Sequence, residues 1–130
     1  MVQVLFLIGR IILGVFYLFN AVNHFTRLDE MSRWAASKGV PAARVLVVVT
    51  GAMLLVGGLT VLLGVYPAVG VAALTVFFVP VTFWMHDFWA VQDPLQRVVQ
   101  MVNFTKNLAL LASAWILLAV PQPWPLSLAR

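Results

Sequence analysis

The sequence predicts an all-α membrane protein, a single domain (residues 1–130) in which four transmembrane helices form an antiparallel bundle with short interfacial helices in the two long loops. Of its 130 residues, 63% are hydrophobic and only 9% are charged, whereas roughly 25% of a soluble domain is charged. The mean hydropathy is +1.02. Since a helix needs roughly 20 apolar residues to cross the hydrocarbon, we predict spans at about residues 2–25, 43–63, 67–85 and 102–120.

The charges and the absence of cysteine exclude several classes of function. The net charge of +4 reflects four acids against eight bases, and the bases lie mostly in two loops, as membrane topology requires, so no nucleic-acid partner is predicted. Without cysteine, thiol exchange, iron–sulfur clusters and cysteine-ligated zinc are excluded. The first apolar run is too long for a signal-peptide core, so we expect a retained helix.

The first span carries a polar stripe. Arg10, Tyr17 and His24 recur at helical spacing, with Asn20 at the edge, and such a stripe should face the bundle or a wet cavity. No acid lies in the apolar body of any span. Arg10 is therefore expected to snorkel toward the outer face or to bind backbone carbonyl groups.

The connector at residues 28–40 has helical character. Asp29 can cap it, Trp34 contributes to an apolar side, and Gly39 and Pro41 end it, which favours a helix lying at the membrane interface. An ordinary polar loop is the alternative.

The later spans have a small-residue face, a kink and a helix start. We predict that the small face of span two is a packing surface between membrane helices, and that Pro80 kinks span three. Asp93 as N-cap and Pro94 at the first helical position begin a helix that continues into span four. The small face consists of Thr50, Gly57, Thr60 and Gly64.

Basic residues predict the orientation. They are concentrated in the loops between spans one and two and between spans three and four, which places these loops in the cytoplasm and both termini outside, in a bacterial-type cytoplasmic (inner) membrane. The opposite side has Arg130, and Arg10 if it snorkels that way. The loop bases are Arg27, Arg33, Lys38, Arg44 and Arg97, with Lys106 at the boundary.

Alternating helix directions bring a set of polar side chains to one face of the bundle, and this is the candidate site. The set comprises Asn20, Asn23, His24, His86, Asp87, Gln100, Asn103, Lys106 and Asn107. Lys106 needs a partner or water at its depth; Asp87 is the predicted counter-ion and Asp93 the alternative. A purely structural ion pair, or interfacial groups that only end the helices, would satisfy the same pattern.

The predicted cofactor is a quinone. Quinone carbonyls accept hydrogen bonds from histidine, asparagine or lysine, and the headgroup favours aromatic walls. Haem ligation by His24 and His86 is disfavoured. No metal site is predicted, because Asp87 is the one strong ligand that the sequence offers besides the two histidines. No catalytic residue can be assigned. The predicted cofactor-binding residues are His24, His86, Asp87, Asn103, Lys106, Asn107 and Trp89.

Taken together, these motifs resemble the DoxX family of small four-helix membrane proteins. The resemblance runs through Gly9-Arg10, Leu13-Gly14, Asn20-Ala21-Val22-Asn23-His24-Phe25, the connector ending in Gly39-Val40-Pro41, Gly57-Gly58 with Gly64, His86-Asp87-Phe88-Trp89, and Asn103-Phe104-Thr105-Lys106-Asn107. It implies an association with quinone-linked sulfur oxidation in the membrane, and some relatives act within larger membrane assemblies.

Two positions depart from the family pattern. Many members carry glutamate where this chain has Leu54, and histidine where it has Asn103, which weakens proton-coupled chemistry within this chain alone. Two functions therefore stay open, and whether the chain is an enzyme stays open with them. One is a subunit of a quinone-linked oxidoreductase. The other is a non-catalytic module that binds lipid, or that assembles a homo-oligomer or larger membrane complex through the Gly/Thr face of span two and the cytoplasmic loops.

Overall fold

A computed structural model describes residues 1–129, and all the regular structure within them is helical. This confirms the all-α fold class. The helices are α1 (Val2–Thr26), α2 (Leu28–Ser37), α3 (Ala43–Leu63), α4 (Pro67–Met85) and α5 (Pro94–Leu117), with a 3-10 turn at Phe88–Ala90.

Three segments are long and apolar enough to cross a membrane: α1, α3 and Pro67–Ala90, which comprises α4 and the turn after it. They agree closely with the first three predicted spans. Helix α5 has 24 residues but is more polar, and it ends at Leu117 where the sequence predicted a span to about residue 120.

Local signals set the helix boundaries. The Asp93 carboxylate accepts a hydrogen bond from the Gln96 backbone N–H at 3.0 Å, with Pro94 in the first turn, so the predicted N-cap is confirmed. Gly64 ends α3 with a φ of +70°, a conformation that glycine adopts without a steric penalty. The connector forms α2, which confirms its predicted helical character.

Close helix packing depends on glycines. A Cβ atom at Gly14 of α1 would lie 2.7 Å from Leu62 Cβ of α3, and one at Gly70 of α4 would lie 1.7 Å from Thr60 Oγ1 of α3. Helices α1, α3, α4 and α5 therefore pack in this order around the bundle, each against the next. Helices α1 and α5 approach each other less closely, and a hydrogen bond of 3.4 Å from Tyr17 Oη to the Leu110 carbonyl joins them.

The small-residue face of α3 packs inside the chain. A Cβ at Gly57 would lie 2.5 Å from the side chain of Leu74, and Thr60 meets Gly70. The predicted packing surface is thus confirmed. Helix α4 covers the Gly57 and Thr60 part of this face, and assembly with partners through the rest of it stays a prediction.

All four long helices contribute to the apolar core, and the outer surface of the bundle is apolar as well. Large apolar side chains are exposed along the outer faces of α1, α3, α4 and α5, an arrangement that suits lipid and not water. The buried core comprises Tyr17, Ala21, Leu54, Val61, Val71, Leu74, Phe77, Phe78, Leu111, Ala114, Leu117 and Trp124.

Arg10 binds backbone carbonyl groups, one of its two predicted environments. It is 2% exposed. Its Nε donates to the Val61 carbonyl at 3.2 Å, its Nη2 to the Leu62 carbonyl at 3.1 Å and its Nη1 to the Pro125 carbonyl at 2.8 Å. The first two are among the last four carbonyls of α3, which have no partner within the helix.

The other two terminal carbonyls of α3 are also satisfied. The Thr60 carbonyl accepts from the backbone N–H groups of Gly64 and Val65, and the Leu63 carbonyl accepts from Leu128 N–H at 2.9 Å. Arg10 and the C-terminal segment thus complete the end of α3, where an unsatisfied carbonyl in lipid would cost several kcal/mol.

Candidate functional site

The core becomes polar toward the end of the bundle that carries the long loops. The side chains of His24 on α1, Thr82 on α4 and Asn107 on α5 are 8%, 1% and 6% exposed by residue. Each continues a core-facing stripe, because it lies one or two helical turns from a core residue of its own helix. Those core residues are Tyr17, Phe78 and Leu111.

Thr82 and Asn107 lie at nearly the same level of the bundle. Helices α4 and α5 are antiparallel neighbours, with Trp115 Nε1 donating to Thr75 Oγ1 at 3.0 Å and the Phe83 and Phe104 rings 5.2 Å apart. Interpolating along both helices between these two contacts places residue 82 opposite about residue 105, which is roughly half a helical turn from Asn107. We call Thr82, Asn107 and His24 the interior polar site.

One member of the interior polar site lacks a hydrogen-bond partner. Thr82 Oγ1 is fully buried and unpaired, whereas Asn107 is buried as a residue, at 6% exposure. Leaving a buried polar group unsatisfied costs about 1–3 kcal/mol. The Thr82 hydroxyl therefore has hydrogen-bonding capacity that no described residue uses.

The third member has a defined tautomer. His24 Nδ1 lies 2.8 Å from the Asn20 carbonyl oxygen. Because a carbonyl can only accept, Nδ1 carries the hydrogen, and in the neutral ring Nε2 is an acceptor. The ring also packs edge-on against Phe77, with centroids 5.8 Å apart. The Cβ of His24 lies 2.9 Å from where a Cβ at Gly51 would stand.

Two predicted site residues lie in an outer layer, nearer the loops. His86 Nδ1 lies 2.7 Å from Gln100 Oε1, and its ring centroid is 5.7 Å from that of Trp34. Asn103 is half-buried, one turn from Asn107 on α5, and its Oδ1 accepts a long hydrogen bond of 3.5 Å from Lys106.

The predicted pairing of Lys106 with Asp87 is wrong. Asp87 forms an ion pair with Lys38, and the two side chains are 25% and 24% exposed. The chain leaves the α4 axis after Met85, which turns Asp87 toward the α2–α3 connector. The alternative counter-ion, Asp93, caps α5 instead. Lys106 is exposed on the outer face of α5.

The Lys38–Asp87 pair closes one end of an aromatic groove on the lipid side of α4. The groove has a volume of ≈ 510 Å³. Trp84 Nε1 donates to the Lys38 carbonyl at 2.8 Å, which fixes this wall against the connector. We call it the lateral groove; it is lined by Lys38, Pro80, Phe83, Trp84, Asp87 and Trp89.

The predicted cluster is therefore divided. His24 and Asn107 lie inside the bundle, His86 and Asn103 lie in the outer layer, Lys106 faces outward, and the remaining two, Asp87 and Trp89, line the lateral groove. Sequence reasoning missed Thr82 and Lys38 as site residues. The spacing of Thr82 four residues before His86 is the one available signal, since it places both on the same helix face.

The fold and this polar end define a class: a small helical membrane protein with apolar spans and buried polar side chains at one end of its bundle. A model of one family, DoxX, matches residues 5–87. The chain belongs to the DoxX family. The match covers α1 to α4 and ends at Asp87, so that α5, with Asn107, lies beyond it. No protein of curated function and no solved structure matches the chain significantly.

Proposed function

We propose that this chain is a subunit of a quinone-linked oxidoreductase and that its interior polar site binds the quinone headgroup. One observation carries the proposal: the Thr82 hydroxyl is buried without a hydrogen-bond partner, and the buried Asn107 lies within one helical turn of its level on the neighbouring helix. The quinone itself is what the resemblance to the family implies, and the interior polar site is the location that we propose for it.

The donor set suits a quinone. Quinone carbonyls only accept hydrogen bonds, and the Asn107 amide N–H and the Thr82 hydroxyl can each donate one. His24 Nε2 can accept a hydrogen bond from a hydroquinone hydroxyl, and can take up that proton while Nδ1 stays bound to the Asn20 carbonyl. A bound quinone would supply the two-electron redox chemistry that none of these side chains provides.

Access is proposed between α1 and α5. These two helices pack least closely among neighbours in the bundle, and the hydrogen bond from Tyr17 to the Leu110 carbonyl is long, at 3.4 Å. An isoprenoid tail could leave the bundle there and enter lipid. The outer layer, with His86 and Asn103, would form the mouth of the site toward the membrane surface.

The proposal includes a fourth span. Helix α5 packs antiparallel to α4, and its 24 residues extend about 36 Å, enough to cross the hydrocarbon. Lys106 would reach the interface along its own aliphatic stem. The basic loops would lie in the cytoplasm and the termini outside an inner membrane; Arg130, counted in that prediction, lies outside the described residues.

The test is the quinone content of purified protein. The parent chain and its variants are purified from quinone-containing membranes in mild detergent, extracted, and assayed by reduced-minus-oxidised absorbance. Thr82→Val and Asn107→Leu are expected to lose most of the bound quinone, because each removes one buried donor. The matched control is Thr105→Val. The Thr105 hydroxyl is exposed on α5, the helix of Asn107, and donates to the Met101 carbonyl at 2.9 Å.

Three results would contradict the proposal. Full quinone occupancy in the Thr82→Val/Asn107→Leu double variant would exclude the interior polar site. Loss of quinone in His86→Ala or Lys106→Ala alone, with the interior variants unaffected, would move the headgroup to the outer layer. A well-folded parent without quinone would favour the non-catalytic alternative.

A further inference from the structure

The lateral groove has a property that a quinone site does not need: it holds a partly buried ion pair at an aromatic wall. Lys38 and Asp87 are each about three-quarters buried, and no other charged residue between residues 1 and 129 lines the groove. The groove therefore presents one cation and one anion side by side, with no net charge. A ligand that takes the place of Asp87 beside Lys38, and of Lys38 beside Asp87, must itself carry one negative and one positive charge.

The groove is open to lipid along its whole length. Phe83, Trp84 and Trp89 are 52%, 47% and 52% exposed, and they lie at the end of a span, where tryptophan is typical of the headgroup level. An exposed apolar stripe leads from the groove along α4 for about 21 Å, at 1.5 Å per residue. Its members recur at helical spacing: Val69, Ala72, Val76, Val79, Pro80 and Phe83.

The aromatic wall is held in place by contacts of its own. Trp84 is tied to the Lys38 carbonyl. The Trp89 ring lies 5.3 Å from Phe88 and 5.7 Å from Phe104, edge to face in both cases. A preformed wall of this kind can receive a cationic group against the indole faces, where the attraction strengthens as water is excluded.

We propose that the lateral groove binds a phospholipid with a zwitterionic ethanolamine headgroup. Lys38 binds the phosphate, Asp87 accepts hydrogen bonds from the primary ammonium, and one acyl chain lies along the α4 stripe. Charge complementarity selects this lipid. An anionic lipid without an ammonium would leave the Asp87 carboxylate without a partner when it takes Lys38, and a choline headgroup has no N–H to donate.

The proposal is tested by native mass spectrometry of the detergent-purified full chain, titrated separately with phosphatidylethanolamine, phosphatidylcholine and phosphatidylglycerol of the same acyl chains. The parent is expected to retain the ethanolamine lipid about fivefold more than either of the others, the effect of one hydrogen bond of ordinary net strength. Asp87→Asn should abolish the preference over phosphatidylglycerol, and Lys38→Met should lower retention of all three.

Asp29→Asn is the matched control, because it breaks an interfacial ion pair, with Arg44, that is exposed and outside the groove. It is expected to leave lipid retention unchanged. If Lys38→Met fails to fold, Trp89→Ala tests the opposite wall and should also weaken retention. Equal retention of the three lipids by the parent, which would indicate annular lipid only, overturns the proposal. So does a preference for phosphatidylglycerol, or an ethanolamine preference that survives Asp87→Asn.

The lipid site and the quinone site are experimentally separable. Asp87→Asn is expected to keep its quinone, since Asp87 does not belong to the interior polar site, and Thr82→Val is expected to keep its lipid selectivity. Failure of one proposal therefore leaves the other standing.

Discussion

Replacing Arg10 by lysine should destabilise the protein although the charge is kept. The guanidinium reaches three carbonyl oxygens through three different nitrogens, at 3.2, 2.8 and 3.1 Å. Lysine carries a single nitrogen in place of the three-nitrogen fork, and we expect it to hold at most one of the three carbonyl groups. Two hydrogen bonds are then lost, at about 1 kcal/mol each, so the free energy of unfolding should fall by about 2 kcal/mol.

The loss should be localised at the C-terminal segment. Arg10 binds the Pro125 carbonyl, and Trp124, 2% exposed, packs edge-on against Phe6 with ring centroids 5.5 Å apart. When the guanidinium is removed, the segment after α5 loses one of its polar anchors and keeps the hydrogen bond from Leu128 N–H to the Leu63 carbonyl. Carboxypeptidase digestion in detergent should therefore shorten the Arg10→Lys variant faster than the parent, before any loss of helicity by circular dichroism.

The control is Arg44→Lys, at a side chain that is 62% exposed, for which both stability and digestion should stay at the parent values. Arg10→Met should be worse than Arg10→Lys, because all three carbonyls then lose a donor. If the lysine variant unfolds at the parent temperature with its C-terminal segment equally protected, the inference that Arg10 completes the end of α3 is refuted.

Three further predictions concern packing, acid and the orphaned hydroxyl. Gly70→Ala should lower the free energy of unfolding in detergent by about 1–3 kcal/mol, as overpacking does, because the new Cβ would lie 1.7 Å from Thr60 Oγ1. Adding Thr60→Ala should partly restore stability. Gly9→Ala is the control, because a Cβ there would have no atom within 4 Å. Hydrogen bonds from Arg44 and Arg27 hold the pKa values of Asp29 and Glu30 below their ordinary 3.8 and 4.5. The stabilisation by these two ion pairs is therefore fully present above pH 4.5 and is lost as the pH falls through the lowered pKa values. In an acid titration, the free energy of unfolding should decrease slightly, and either added salt or the double variant Asp29→Asn/Glu30→Gln should remove that decrease. A larger decrease on raising the pH would contradict the assignment. In quinone-free protein, Thr82→Val should leave the unfolding temperature unchanged or raise it, since it removes a buried hydroxyl without a partner; a clear decrease would show that the hydroxyl is satisfied.

The helices could be predicted because residues at or next to each boundary determine where the helix begins or ends. Asp93 and Pro94 begin α5, and the Gly64 to Pro67 turn separates α3 from α4; each signal acts within a few residues of its own position. Hydropathy then gave the length of the first three spans. The end of α5 was missed by three residues, because residues 118–120 are apolar but form a turn.

For contacts between helices, the sequence predicted the kind of interaction that a residue would make but not the residue that it would contact. The sequence indicated that Arg10 would bind carbonyls or snorkel, but not that a returning C-terminal segment would supply the Pro125 carbonyl. It indicated that Gly57 and Thr60 pack, but not that α4 is their partner. Such pairings depend on how each helix rotates about its axis, and a one-residue change turns a side chain by 100°.

The failure at Asp87 has another cause, since α4 ends at Met85 and the chain then leaves the helix axis, but helix rotation does decide what the residues before it face. Thr82 and Phe83 are adjacent in α4, yet Thr82 faces the bundle interior at 1% exposure and Phe83 faces lipid at 52%. A helix one residue out of register would exchange the two environments. The predicted cluster is therefore divided by the wall of α4, with His24 and Asn107 in the interior polar site and Asp87 in the lateral groove. The outer layer of His86 and Asn103 and the exposed Lys106 belong to neither. Because that wall keeps the hydrogen-bond donors inside and the ion pair outside, a neutral headgroup that accepts hydrogen bonds and a zwitterionic headgroup can be held at the same end of one small bundle without competing for a single side chain.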